Sequence, residues 1–221
     1  MTVPATASAY AVVQEALAAQ RCVILDGGVA TELPDETLTG GPQSERLWGI
    51  RALASAPGQV KAVHRRYVDV GCDVVTTNTW GLASAVAAED QRPWDDAPEP
   101  VTWLEVARRG VRVARQAIAE GGRDGRVAVA FSLNADLDGE DGRETVRLLT
   151  RAFRDEAPDL ILLETLSLVR PSLYDTVGRL LDTGLPVWLS FRRCRHGVCG
   201  VYGQHWGGPE GDAFGRAARR F

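Results

Sequence analysis

The sequence predicts an α/β fold in which helices flank a parallel sheet. Short apolar runs rich in β-branched residues alternate with longer segments of helical periodicity, and this order occurs five times. Two of the runs stop abruptly at a carboxylate, as parallel strands do where they open onto a site. No internal repeat or linker divides the 221 residues. We therefore expect a single domain over residues 1–221.

Composition narrows the class of protein. Hydrophobic residues make up 45% and charged residues 24%, which is ordinary for a globular chain. The net charge of −4 gives no electrostatic reason to expect nucleic acid or an anionic membrane as a partner. We see no signal peptide and no apolar run of membrane-spanning length, so a cytoplasmic protein is expected. In that compartment the 4 cysteines would be reduced.

The N-terminal part begins with a helix. Residues 8–20 have helical spacing, with Thr6 or Ser8 as the N-cap, and this helix could plug one end of a barrel. The first strand is expected at 22–26, as a short buried run. The long segment 29–56 is punctuated by glycine and proline, which is typical of a loop that covers a site.

The rest of the chain continues the alternation. Glycines end several of the helical segments, which is a usual C-terminal signal. Helices are expected at about 57–70, 101–119, 143–156 and 170–183, and strands at about 73–77, 126–133, 159–164 and 185–191. The acidic stretch 134–142 is expected as a solvated loop, and a last helix should start near Pro209.

Two strand ends carry candidate site residues. Asp26 ends the run 22–26, and Gly27 and Gly28 would let a ligand approach the backbone. Glu164 ends the strand at 159–164 in the same way. Because parallel strand ends converge on one face of a barrel, two acids could hold an ammonium group while glycine amides take a carboxylate. The alternatives are that Asp26 only caps a turn and that Glu164 pairs with an arginine.

The motifs together resemble the homocysteine S-methyltransferase family. The matching segments are ILDGGVATELP, LW, VHRRYVDVGCDVVTTNTWG, DLILLETL and LPVWLSF, in order and spacing, from about residue 22 to 191. The resemblance implies a (β/α)8 barrel that methylates the thiol of homocysteine, within methionine biosynthesis. For this chain it implies an incomplete TIM-type barrel of about five parallel strand–helix units with an extra N-terminal helix.

The resemblance also implies a set of binding residues. Asp26, Gly27, Gly28 and Glu164 would bind the amino-acid part of the acceptor, with Asn78 and Thr79 lining the same pocket. Family members use a zinc ion held by three cysteines, and zinc makes the thiol a thiolate, the form that attacks a methyl group. The family's Asn-Cys-type and Gly-Gly-Cys-Cys motifs do not occur in this sequence, so its catalytic residues are not identified.

A substitute metal site is the remaining candidate for a zinc ion. Cys194, His196, Cys199 and His205 follow the last predicted strand with ligand-like CxHxxC…H spacing. The competing and preferred interpretation is a glycine-rich loop that happens to contain these residues. Cys22 and Cys72 flank strands and are expected to be small core residues.

The function hypotheses differ in class. The leading one is methyl transfer to homocysteine or a related amino acid from a methyl donor that the sequence does not identify. The rival is a non-catalytic amino-acid-binding or scaffolding subunit that has lost the zinc site. A third is an enzyme that uses Asp26 and Glu164 as acid and base. An unfinished barrel has open sheet edges, so we expect a homo-oligomer or a complementing subunit.

Overall fold

The computed structural model describes residues 8–34, 49–83, 102–134, 139–166 and 171–191, together with two short strands at 198–199 and 204–205. The helices within these ranges are α1 (Ala9–Ala18), α2 (Arg51–Ser55), α3 (Pro57–Val70), α4 (Trp103–Glu120), α5 (Gly139–Asp155) and α6 (Pro171–Leu181), with a 3₁₀ turn at Ala30–Glu32. The strands are β1 (Val74–Thr76), β2 (Ala128–Asn134), β3 (Leu160–Leu166), β4 (Val187–Phe191), β5 (Val198–Cys199) and β6 (Gln204–His205).

The main sheet is parallel, and its strands follow one another in chain order, β1-β2-β3-β4. Its register is given by the pairs Val74 with Ala128, Ala130 with Leu160, and Ile161 with Val187. Helices connect neighbouring strands in the described ranges, as the alternation predicts. β5 and β6 form a separate antiparallel pair. The predicted parallel α/β architecture is therefore confirmed, with four strands in the sheet.

The predicted first strand is the main correction to the fold. Residues 22–26 contribute only a single parallel bridge, between Leu25 and Val74. Ile24 is 57% exposed and Leu25 42% exposed, so this run is not buried as expected. The physical reason is its position at an edge: the described chain places β1 on one side of it and no strand on the other.

Local signals locate most helix ends correctly. Ser8 caps α1, and its Oγ accepts a hydrogen bond of 3.3 Å from the amide of Ala11. α3 begins at Pro57 and ends before Gly71, which has φ 100° as a C-terminal glycine should. α5 begins at Gly139, earlier than the expected 143, so part of the predicted acidic loop is helical.

The two faces of the sheet are covered differently. One face packs against the helices that connect the strands, and it contributes Val75, Val129, Phe131, Ile161 and Leu163 to the larger core. The opposite face packs against α1 through the first residues of the strands, namely Val74, Ala128, Ala130, Leu160 and Leu162. Ala9 and Val13 are the buried residues of α1 in that cluster. α1 thus covers the amino-terminal end of this face and leaves its carboxyl end for a site.

The described helices differ from membrane-spanning helices in length or composition. None of them combines the length and the apolar composition needed to cross a membrane.

Candidate functional site

A pocket of about 470 Å³ opens at the carboxyl ends of the strands. It is built from the strand ends and from the turn that follows the bridge at Leu25. Its lining consists of Leu25, Asp26, Gly27, Gly28, Val29, Ala30, Thr31, Thr76, Thr77, Asn78, Trp80, Ser132, Glu164 and Thr165. The two carboxylates that the sequence singles out therefore share one pocket.

Asp26 is held at the end of β1 by a single threonine. The amide of Thr76 donates to Oδ2 at 2.8 Å, and the Thr76 hydroxyl donates to Oδ1 at 2.9 Å. The amide of Asp26 donates to the carbonyl of Val74 at 3.0 Å. In the next position of the ladder, the Asp26 carboxylate accepts the Thr76 amide in place of the Asp26 backbone carbonyl. Each carboxylate oxygen can accept two hydrogen bonds, which leaves one position on each for a ligand.

Burial changes the acidity of both carboxyl groups. The pKa of Asp26 is raised to about 7; burial is the largest cause and the Glu164 charge adds to it, while the two Thr76 hydrogen bonds oppose the rise. Burial also raises the pKa of Glu164, and the hydrogen bond from the Ser132 hydroxyl opposes this. That bond measures 2.7 Å to Glu164 Oε1. Within the described residues Glu164 has no ion pair with an arginine, so the structure does not support the alternative of an arginine-paired carboxylate.

A β-bulge turns Thr165 toward the pocket, beside Glu164. β3 advances three residues between Leu163 and Leu166 while β4 advances two, so one extra residue is inserted in β3. Leu163 and Leu166 both belong to the core on the helix side. Glu164 and Thr165 therefore both line the pocket, and Thr165 adopts φ 58°, an unusual conformation for a β-branched residue.

Trp80 forms one wall of the pocket. Its Nε1 donates to Thr165 Oγ1 at 3.3 Å, and Thr165 Oγ1 donates to the carbonyl of Glu164 at 2.7 Å. The indole is 37% exposed, so one part of it remains open to solvent. Trp80 therefore lines the pocket with part of its surface and is not wholly a packing residue.

A side chain at either glycine would come close to a neighbouring hydroxyl group. A Cβ at Gly27 would lie 2.6 Å from Tyr67 Oη, and one at Gly28 would lie 2.7 Å from Thr31 Oγ1. The Gly28 carbonyl accepts hydrogen bonds from Thr31 Oγ1 at 2.9 Å and from Tyr67 Oη at 3.5 Å. The amides of Gly27 and Gly28 have no hydrogen-bond partner among the described residues, which leaves two donors at the pocket.

The other two predicted pocket residues differ in position. Asn78 lines the pocket and is anchored by a 2.7 Å hydrogen bond from Nδ2 to the carbonyl of Gly49. The structure corrects the expected position of Thr79, which is fully buried behind the pocket. Its hydroxyl is used by Thr77 and by the Ser132 carbonyl, because the chain turns away from the sheet after β1.

The candidate metal ligands are only partly described. Cys194 and His196 lie outside the described residues, and Cys199 and His205 lie in β5 and β6, opposite Gln204 and Val198. Across the described ranges, no group of three or more histidine, cysteine, aspartate or glutamate residues could hold a metal ion.

The pocket itself does not fit the family's zinc site. Among the described lining residues its donors are carboxylates, hydroxyls and amides, with no thiol, whereas three cysteines are expected. Cys72 is buried as predicted, but Cys22 is exposed, because the run that it begins lies at the sheet edge. Neither of these two cysteines lines the pocket.

Sequence reasoning did not assign roles to the residues that hold the carboxylates. Thr76, Ser132 and Thr165 each supply a hydroxyl to a pocket group or to its backbone. A signal did exist, since Thr76 and Ser132 lie near the ends of predicted strands and Thr165 directly follows one. Which hydroxyl meets which carboxylate depends on strand register, which one sequence does not reveal.

Comparison with protein families and curated proteins gives a consistent result. The chain matches the family model described as homocysteine S-methyltransferase over residues 23–204. Homocysteine S-methyltransferase 4 from Zea mays is 26% identical over 202 residues, covering 77% of this chain and 55% of the relative. Homocysteine S-methyltransferase 1 from Brassica oleracea var. italica is 36% identical over 59 residues, covering 27% of this chain and 17% of the relative. The chain thus spans little more than half the length of the maize relative.

Solved structures show the same fold. The homocysteine methyltransferase MmuM from Escherichia coli in its metallated form matches with a TM-score of 0.57 and 22% identity. The oxidized form of that protein matches with a TM-score of 0.58, again at 22% identity. Each match covers 86% of this chain and 69% of the other. At this identity the comparison concerns the fold.

Proposed function

The chain belongs to the homocysteine S-methyltransferase family, and we propose that its pocket binds a thiol amino acid, homocysteine or a close relative, as a methyl acceptor. The observation that carries this proposal is the placement of Asp26 and Glu164 in one pocket with the turn at Gly27 and Gly28. Such a pocket offers groups of both signs that an α-amino acid needs: carboxylates for its ammonium and amides for its carboxylate.

In this proposal each pocket group has a defined task. The ammonium of the ligand lies at Asp26 and Glu164, and the amides of Gly27 and Gly28 receive the carboxylate. Asn78 and Trp80 bound the space for the side chain. Because burial raises the pKa of Asp26 to about 7, part of the Asp26 population is protonated at neutral pH in the free pocket. The positive charge of the ligand ammonium favours the carboxylate, so binding releases this proton.

We also propose a larger architecture for the sheet. The parallel strands and the bridge at Leu25 correspond to about five strand–helix units of a TIM-type (β/α)8 barrel, within a single domain. The TM-scores of 0.57 and 0.58 against MmuM support this interpretation. In such a barrel the carboxyl ends of the strands carry the site, which is where the pocket lies.

The proposed reaction is methyl transfer to the acceptor thiol, as a step of methionine biosynthesis in the cytoplasm. Zinc is expected for the family, but its fit to the described residues fails, so we assign no step to it. We further propose that the open sheet is completed by a second copy or by a complementing subunit. The exposed Ile24 and Leu25 at the sheet edge support this proposal.

A second candidate function is a non-catalytic subunit that binds the amino acid. Two observations favour it. The hydroxyl groups of Thr76 and Ser132 hold the two acids in place in the pocket, and the described part of the chain has no group of residues that could hold a metal ion. Acid–base chemistry by Asp26 and Glu164 is the weaker alternative, because both groups are already anchored by hydrogen bonds.

Calorimetric titration with L-homocysteine and L-methionine tests the pocket. Asp26→Asn and Glu164→Gln should each weaken binding at least about tenfold, because each removes a charge that faces the ammonium. Asp69→Asn is the matched control, since Asp69 pairs with Arg65 on the surface of α3. Unchanged affinity in both pocket variants would contradict the proposal.

Transfer of a labelled methyl group from sulfonium and quaternary-ammonium donors to homocysteine separates the two functions. Turnover that is lost in Glu164→Gln supports the methyltransferase, and binding without turnover supports the non-catalytic subunit. The assay should include added zinc and, in a parallel reaction, a lysate of the source organism to supply a complementing chain.

A further inference from the structure

Thr77 and Ser132, which line the pocket, form a closed ring of hydrogen bonds with Thr79, which lies behind them. The amide of Ser132 donates to Thr77 Oγ1 at 3.1 Å, and Thr79 Oγ1 donates to the carbonyl of Ser132 at 2.8 Å. The two threonine hydroxyls lie 2.6 Å apart. All three residues are buried, with Thr79 fully inaccessible. Thr79 therefore has no contact with a ligand in the pocket, although its sequence position suggested one.

The direction of every hydrogen bond in the ring follows from the number of available protons. A hydroxyl has one proton, and that of Thr79 goes to the Ser132 carbonyl, which can only accept. Thr77 must therefore donate to Thr79, while its oxygen accepts the Ser132 amide. The ring runs in one direction, and each buried group in it is satisfied, so the bonds reinforce one another.

The ring replaces a missing piece of the sheet. β1 pairs with β2 only up to Thr76 and Ala130, and the last bond is from the Thr77 amide to the Ala130 carbonyl. Beyond that point β1 no longer supplies backbone partners for Ser132. The hydroxyls of Thr77 and Thr79 take their place, and both backbone groups of Ser132 are thereby fixed.

The side chain of Ser132 connects this ring to the pocket. Its hydroxyl lies outside the ring and donates to Glu164 Oε1 at 2.7 Å. Helix α4 closes the other side, since a Cβ at Gly110 would lie 2.6 Å from Thr79 Cγ2. Thr79 is therefore held between α4 and Ser132, and has little space to adopt another rotamer.

We propose that Thr79 is a positioning residue for Glu164, and that it acts through the backbone of Ser132. This inference rests on the proposed function only for its consequence in binding. Without the Thr79 hydroxyl, the Ser132 carbonyl and the Thr77 proton both lose their partners, and Ser132 no longer presents its hydroxyl to Glu164 in one orientation.

The test compares Thr79→Ala with Thr79→Ser. Both variants lack the methyl group that packs on α4, and they differ only in the hydroxyl, so the loss of packing cancels in the comparison. Thr79→Val adds an isosteric variant without the hydroxyl. If Thr79→Val does not fold, the alanine and serine pair provides the same comparison.

The first readout is a carbon-13 NMR titration of Glu164 in the free protein. Thr79→Ala should raise the pKa of Glu164, because the Ser132 hydrogen bond that lowers it is weakened, and Thr79→Ser should restore the wild-type titration. Glu144, exposed on α5 and paired with Arg147, is the internal control and should not change. Identical Glu164 titrations in Thr79→Ala and Thr79→Ser would overturn the inference.

The second readout is the affinity for L-methionine by calorimetry. Thr79→Ala should bind about fivefold to tenfold more weakly than Thr79→Ser, the effect of one weakened hydrogen bond to a charged group. Equal affinity of the two variants would also count against the positioning role. If the wild type binds no amino acid, the proposed function fails, while the Glu164 titration still tests the ring.

Discussion

Asp26 serves both the fold and the candidate site. Its carboxylate ends the ladder with β1 by accepting the amide and the hydroxyl of Thr76. The same group faces the pocket with two acceptor positions left. The sequence left open whether Asp26 caps a turn or lines a site; in the structure its carboxylate bonds to Thr76 of β1 and lies in the lining of the pocket. Burial of a group with these two tasks raises its pKa to about 7.

The raised pKa predicts how stability depends on pH. The pKa of Asp26 rises from 3.8 to about 7 on folding, so the folded state retains a proton that the unfolded state releases. Its contribution is therefore complete below about pH 4 and is lost as pH rises through 7. Across this pH range the contribution of Asp26 to the free energy of unfolding falls by about 4 kcal/mol. Urea unfolding of the wild type between pH 4 and 8 should show this loss.

The matched variant for this prediction is Asp26→Asn. An asparagine cannot titrate, so the stability lost by the wild type between pH 4 and 7 should be absent from the pH profile of the variant. Its amide can still accept the Thr76 amide and donate to the Thr76 hydroxyl, so the turn is retained. Parallel profiles for the two proteins would show that Asp26 does not carry the proton.

At the scale of single elements, two helical glycines distinguish the effect of tertiary packing from the effect of helix propensity. Gly178 lies within α6 with open space around its Cβ direction, whereas Gly110 lies within α4 directly against Thr79. The two positions share one local tendency, since alanine favours a helix over glycine by about 0.5–1 kcal/mol. The tertiary contact exists at only one of them.

We expect Gly178→Ala and Gly110→Ala to have opposite effects. Gly178→Ala should stabilise the protein by about 0.5–1 kcal/mol, because it lowers the entropy of the unfolded chain without a clash. Gly110→Ala should destabilise it by about 1–3 kcal/mol, because the added methyl would lie 2.6 Å from Thr79 Cγ2. Denaturant midpoints measure both changes. Stabilisation by Gly110→Ala would contradict the packing described for Thr79.

The bulge in β3 is the element-scale feature that shapes the site. A regular strand would alternate its side chains, so Glu164 and Thr165 would lie on opposite faces. The extra residue places both at the pocket and returns Leu166 to the core. The conformation of Thr165 at φ 58° is strained for this residue type, and strain of this kind is concentrated at functional sites.

At the scale of the whole molecule, the sheet has an exposed apolar edge. Ile24 is 57% exposed and Leu25 is 42% exposed. In the described part of the chain this segment pairs with β1 through the bridge from Leu25 to Val74, and no strand pairs with its other side. An edge of this kind presents unpaired backbone groups and invites pairing with another chain. The expectation of a homo-oligomer or a complementing subunit therefore remains a prediction for solution experiments.

Multi-angle light scattering over micromolar concentrations measures this association. The wild type should show a mass that rises with concentration, and Ile24→Lys should shift the population toward the monomer, because a charge on an edge strand opposes pairing. Val70→Lys is a matched control, since Val70 is 83% exposed at the end of α3. A wild type that stays monomeric throughout this range would contradict the prediction.

The sequence by itself determined the order and type of most elements, because these depend on local periodicity and on caps; it missed α2 and overestimated the strand at 22–26. Each of these signals lies within a few residues of the chain. Examples are the cap at Ser8, the glycine after α3 and the alternation of strand and helix patterns. It also identified Asp26 and Glu164 as strand-end carboxylates that share a pocket. The resemblance to one family came from the same motifs and is confirmed by the family match over residues 23–204.

Only the tertiary structure decided which groups hold these carboxylates and on which side each residue lies. The bulge at Glu164, the ring through Thr79 and the exposure of Ile24 all depend on contacts between segments far apart in the chain. Strand register sets these contacts, and a shift of one residue reverses every side chain. Composition and spacing carry no information about register. The resemblance implied that Thr79 lines the pocket, but Thr79 lies behind it because the chain turns away from the sheet after β1.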